Sequence, residues 1–153
     1  MKLFQIEEPD GSPVDPDAPG LAIGIDLSGT RADVAVSVGG NAVVLTDRDG
    51  FAVDLTIPAP TAPPAVWQEL FEGARLRAER ALAQPVTHAV IALAALPDAA
   101  MAALLMAASE AAGLELLQMI VCGQLAPGEE PVLAAAMLAE DMAPRSEGAA
   151  PQG

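Results

Sequence analysis

Tyrosine is absent from this 153-residue chain, tryptophan occurs once and phenylalanine three times. A surface that grips bases or sugars by stacking needs more rings than these. Lysine is almost missing too: Lys2 is the only one, and Lys plus Arg number 7 against 21 Asp plus Glu, a net charge of −14. Neutralising phosphates takes clustered cations, so the balance argues against nucleic acid as a partner. It argues equally against an anionic membrane surface. A lone cysteine, Cys122, makes no internal disulfide, and with a single histidine, His88, no Cys/His set exists for a structural zinc. The first 20 residues lack a basic segment followed by an apolar one, so no signal peptide is expected. The apolar stretch 99–108 is too short to span a bilayer. These shortages predict a soluble, cytoplasmic protein.

What the chain has in excess is alanine, 33 residues of it. That suits thin helices laid closely on a sheet, and the length suits one domain. Residues 1–20 are rich in acids, proline and glycine and read as a flexible arm; 144–153 read as a similar tail. The folded domain is expected over 21–143. Lys2, Phe4 and Ile6 alternate with apolar residues in a way that allows one short extra strand.

Strand signals open the folded part: Leu21–Leu27, Ala32–Val38, Ala42–Asp47 and Phe51–Ile57. Gly39-Gly40-Asn41 and Asp47-Arg48-Asp49-Gly50 carry the residues tight hairpin turns demand. After the proline run Pro58–Pro64, the residues Trp67, Leu70, Phe71, Ala74, Ala78, Ala81 and Leu82 repeat at helical spacing, with Pro64 suited to the first turn. Arg75, Arg77 and Arg80 are expected on a solvated face, Glu72 and Glu79 pairing with Arg75.

Ala89–Ala94 then reads as a buried strand. Asp98 is placed to cap a helix that Gly113 terminates. That helix is apolar nearly all round, which favours burial in the middle of the domain; the alternative is one face left for a partner. Leu114–Val121 reads as the next strand and Pro131–Met142 as the last helix, with Glu129 and Glu130 at its positive end. The order β-β-β-α-β-α-β-α predicts an α/β fold, a ribonuclease H-like mixed sheet with helices on both faces. His88 and Cys122 read as structural residues, and Trp67 as a core anchor.

The residues with chemical promise lie at the end of the first strand, Gly24-Ile25-Asp26-Leu27-Ser28-Gly29-Thr30. An aspartate followed by a small-residue turn can hold Mg²⁺ through its waters while turn amides converge on phosphate oxygens. The segment GIDLSGTRADVAV resembles the first phosphate loop of the superfamily that contains DnaK-type heat-shock chaperones, actin and sugar kinases. His88–Ile120 resembles the chaperone segment that runs from A-V-I-T-V-P to I-A-G-L-E-V-L-R-I-I, most closely at Gly113–Leu117. Glu130-Pro131 followed by Ala134-Ala135-Ala136 is similar to the chaperone N-E-P-T-A-A-A segment.

The resemblance implies Asp26 as the carboxylate on the Mg²⁺ side and Ser28, Gly29 and Thr30 as the phosphate loop. It implies Glu130 as a second catalytic candidate beside Asp26, and Mg-ATP as the cofactor. Three departures point to weak or absent nucleotide binding. Ser28 replaces a glycine of the family pattern. The family's phosphate-binding lysine has no counterpart. The segments of the family's second lobe have none either, and 153 residues accommodate one lobe. The expectation is therefore a lone, non-catalytic lobe acting as a binding or regulatory module, with a protein partner or a second copy of itself. An Mg-ATP site completed by dimerisation or by a partner is the alternative.

A second resemblance is to short YqgF-type ribonuclease H-like nucleases, whose first strand reads G-I-D-x-G-T-K-R-I-G-V-A-V. That chemistry needs several carboxylates on two metal ions, for which Asp26, Glu69, Glu72, Asp98 and Glu130 are the candidates.

Overall fold

The computed structural model describes residues 20–46 and 55–144. The expected arm before Gly20, the tail after Pro144, the turn at Asp47–Gly50 and the strand signal over 51–54 lie outside the described residues.

The strands are β1 (Leu21–Asp26), β2 (Asp33–Val38), β3 (Asn41–Leu45), β4 (Val86–Leu93) and β5 (Glu115–Val121); the helices are α1 (Pro64–Leu82), α2 (Ala99–Ala111) and α3 (Pro131–Met142). They form one sheet in the order β3-β2-β1-β4-β5. β1, β2 and β3 pair antiparallel as a meander, whereas β4 and β5 join β1 in parallel. Strand order, strand direction and helix placement make this a ribonuclease H-like mixed sheet.

Side-chain alternation sorts the core into two layers. Ile23 and Ile25 of β1, Val34 and Val36 of β2 and Ile91 of β4 face α1 and α2, packing on Trp67, Phe71, Ala74, Leu105 and Ala108. Ala22, Val90 and Ala92 face the other way, onto Ala135 and Ala139 of α3. Here the alanine content has its structural use. A Cβ placed on Gly24 would lie 2.3 Å from the backbone nitrogen of Ala136, so α3 rests almost directly on the β1 main chain.

Local chemistry explains the boundaries. Gly39 and Gly40 both have positive φ, 62° and 85°, as a two-residue hairpin loop between β2 and β3 requires. Pro64 sits in the first turn of α1. Asp98 Oδ1 accepts from the Met101 amide at 2.8 Å and caps α2. At the other end Gly113, with φ 92°, donates to Glu110 O while Leu114 donates to Ser109 O, the bond pair of a Schellman cap.

Several expectations need correction. Residues 55–57 form no named strand; Thr56 forms an isolated bridge to Arg31, and the prolines at 58, 60, 63 and 64 that follow lack the amides to extend a ladder. Ala81 is exposed rather than part of the α1 stripe, although Leu82 beside it packs against the core at partial burial. The 19-residue helix is about 28 Å long, and overruns a six-residue strand of about 20 Å. Arg75 pairs with Glu79 at 3.0 Å, while Glu72 accepts from Gln68 instead. Nor is Arg75 simply solvated: its Nε donates to Ala112 O at 2.8 Å, and Glu79 Oε2 accepts from the Val86 amide. One side-chain chain thus ties the end of α2, the middle of α1 and the start of β4.

Helix α2 is not buried all round. Within it only Leu105, Ala108 and Ser109 are buried, and Met106 is 53% exposed. It lies over one end of the sheet beside the edge strand β5, whose burial is only partial, and nothing among the described residues covers its outer face.

Candidate functional site

Asp26 is the last residue of β1, and strand alternation puts it on the α3 side together with Ala22 and Gly24. Its Oδ1 accepts two bonds from the same residue: the Ser28 amide at 2.8 Å and the Ser28 hydroxyl at 2.6 Å. The carboxylate is therefore clasped by its own turn, an Asx arrangement with the hydroxyl added.

The loop beyond is held on both limbs and open at its tip. Leu27 donates to Ala92 O, extending the pairing of β1 with β4 by one residue. Thr30 O accepts from Ile57, and Ala32 donates to Leu55 O, so the returning limb is stitched to residues 55–57. Gly29, at the tip, has no positive φ, and a Cβ there would meet nothing within 4 Å. The fold does not require glycine at this position.

Glu130 immediately precedes α3, is exposed and makes no side-chain cap bond. Its place follows from Gly24, which packs at Ala135 and Ala136. Going back from there to Glu130 takes about 8 Å along the helix axis. Going forward from Gly24 to Asp26 takes about 7 Å along the strand. The hairpin at the far end fixes the direction: Glu140, late in α3, accepts from Ser37 Oγ and from the amides of Gly39 and Gly40. Asp26 and Glu130 therefore share one face and one end of the sheet.

The β1–β2 register adds a carboxylate that the sequence reading missed. Asp33 is directly opposite Asp26 in the antiparallel ladder, and both side chains lie on the same face. The signal was available in the hairpin register, once the loop is given six residues.

The other nuclease candidates do not converge. Asp98 is spent on capping α2, and Glu69 and Glu72 belong to α1 on the opposite side of the sheet from α3. Among the described residues no group of three or more His, Cys, Asp or Glu is placed to hold a metal ion. His88 is buried, with Nδ1 2.7 Å from Thr87 Oγ1 and Nε2 3.5 Å from Glu115, which suits a structural role. Cys122 is partly buried against the α3 layer and opens a single 3-10 turn.

A cavity of about 620 Å³ opens on the other side of the loop, the side of α1 and α2. Gly29 and Thr30 form part of its wall; Leu27, Ile57, Trp67, Leu93, Met101 and Leu105 supply most of the rest. Thr30 and Thr56 are its polar side chains, and no charged residue is among the described residues that line it. Asp26 is not in this wall. The loop thus separates an acidic face, with Asp26, Asp33 and Glu130, from an apolar hollow.

No protein-family model and no curated protein sequence matches this chain. What the site can do must be argued from its own chemistry. A triphosphate needs backbone amides, cations and a metal-holding carboxylate together. This loop offers an open tip, but one oxygen of its aspartate is engaged locally, and the hollow beside it is uncharged and apolar. The residues present do not fit Mg-ATP.

Proposed function

We propose that this chain is a lobe of the superfamily of DnaK-type chaperones, actin and sugar kinases, acting as a non-catalytic binding or regulatory module. Its phosphate loop is degenerate. The observation that carries this reading is the clasp between Asp26 and Ser28. Where the superfamily pattern has a glycine that lets phosphate approach, a serine hydroxyl occupies the carboxylate at 2.6 Å. Support for the ancestry comes from the order of elements, the aspartate ending the central strand, the open Gly29 tip and the placement of Glu130 at the same end of the sheet. The outer face of α2, where Ala103, Met106 and Ala107 are exposed, supports a role in protein interaction with a partner or with a second copy.

Calorimetry with Mg-ATP on each size-separated species tests the reading. The expected result is no micromolar binding to monomer or oligomer. Micromolar binding that Asp26→Ala abolishes would restore a working nucleotide site and overturn it. Binding confined to an oligomer would favour a site completed between copies.

A further inference from the structure

We propose that residues 2–6 (Lys2, Leu3, Phe4, Gln5 and Ile6), which lie outside the described residues, dock on the outer edge of β5 as a sixth strand and close the face of α2 beside it. The inference rests on the reading of that face as an interaction surface and names its occupant; it is independent of the phosphate loop. β5 ends the sheet, so among the described residues its outer amides and carbonyls have no strand partner. From Leu116 to Val121 it carries no charge and no proline, two of the devices that blunt an exposed edge. Ala89 pairs with Leu116 and Val90 with Gln118, so Leu117 is an extra residue, and the regular run open to a new strand is Gln118–Val121. Two grooves flank this edge below α2, one between Met106, Glu110 and Leu116, the other between Met106, Gln118 and Met119.

The point where the described chain begins favours this occupant. Gly20 donates to Thr87 Oγ1 and Leu21 to Pro85 O, at the start of β4, and His88 of β4 pairs with Glu115 at the start of β5. Gly20 and the start of the open edge therefore lie at one end of the sheet. The place of a sixth strand is three strand spacings from β1, about 14 Å. Residues 7–19 span up to about 43 Å when extended, so they reach it easily, and the shortest connection sets residues 2–6 antiparallel to β5. Opposite residues of an antiparallel pair share a face. Leu3 opposite Ile120 then lies on the α3 side, as Ile120 does, and Phe4 opposite Met119 lies on the α2 side. Gln5 meets Gln118, and Ile6 falls beside Leu116 in the other groove. A second copy is a weaker candidate: a net charge of −14 on each chain opposes association. A tethered segment is present at an effective concentration of about millimolar. A partner that uses the α2 face must first displace it.

The test is NMR on the full chain, with the double variant Phe4→Asp, Ile6→Asp as its control; both substitutions lie outside the described fold and spare its core. The expected result is nuclear Overhauser contacts from the Phe4 ring to the methyl groups of Met106 and Met119, the same at micromolar and millimolar protein. The outward-facing amides of Gln118–Val121 exchange with solvent about ten-fold more slowly in the unsubstituted chain than in the double variant, the worth of one hydrogen bond. Met106→Glu, at an exposed position shared by both grooves, speeds the same amides. Absence of the Phe4 contacts, or equal exchange in the unsubstituted chain and the double variant, overturns the proposal. Protection that rises with protein concentration and survives the double variant overturns it as well, by putting a second copy on the edge. That last outcome would leave the reading of the α2 face as an interaction surface intact, so the two fail separately.

Discussion

Replacing Gly24 by alanine adds one methyl group at the tightest contact between a helix and the sheet. The new Cβ would sit 2.3 Å from Ala136 N, 2.7 Å from Ala135 C and 2.8 Å from Ala136 Cα. All three are main-chain atoms of α3, so no side chain can swing aside. Ordinary contact begins near 3.4 Å, and α3 must therefore retreat by about 1 Å in an interior that is close-packed. Overpacking of this kind costs about 1–3 kcal/mol. The upper end is expected, because the retreat also loosens Val132, Ala135, Ala136 and Ala139, which are all buried. About 3 kcal/mol corresponds to a fall in melting temperature of roughly 10 °C for a domain of this size. Trp67 lies in the opposite core layer, so its emission during urea or thermal unfolding reports the global transition. Adding Ala136→Gly to Gly24→Ala should give no recovery, since the obstacle is a backbone nitrogen. A loss below about 0.5 kcal/mol, the level of a neutral surface change, would refute the close approach. Recovery in the double variant would refute its assignment to main chain.

Three further outcomes follow from other contacts. Glu140→Ala removes acceptors from Ser37 Oγ, Gly39 N and Gly40 N and leaves the buried Ser37 hydroxyl unpaired. Chemical denaturation should show a loss of about 1–3 kcal/mol. Asp98→Ala deletes the N-cap of α2 and should cost about 1 kcal/mol by the same measurement. Ser28→Gly releases Asp26 Oδ1 from the shorter of its two bonds. It should raise affinity for Mg-nucleotide by no more than about ten-fold, the value of one hydrogen bond, when the variant is followed by calorimetry at millimolar nucleotide.

The layout of the fold was legible because its signals are local. The paired glycines at 39 and 40, the cap at Asp98, the terminator at Gly113 and the proline opening α1 each act within a few residues of themselves. Long-range choices were not. Glu140 reaches a hairpin about a hundred positions earlier, and nothing in the periodicity of α3 distinguishes it from a solvated acid. Arg75 chose Glu79 and a carbonyl of α2 over Glu72, a choice made by where α2 ends. Burial of α2 was misjudged for a related reason: the helix packs on α1 and on the edge strand β5, and among the described residues no strand lies beyond β5 to cover its outer face. At the site, Asp26 and Glu130 were named from motifs, and the sheet does bring them to one face and one end. The hollow on the other side of the loop was invisible, because its wall draws on five separate segments of chain whose apolar residues read simply as core.

In the proposed reading the loop at Ser28–Thr30 does not hold phosphate. Amide chemical shifts of Ser28, Gly29 and Thr30, followed by NMR as Mg-ATP is added to millimolar concentration, test this most directly. The account predicts that these three amides do not move. Saturable movement of the three loop amides with Mg-ATP, lost in Asp26→Ala, would contradict it.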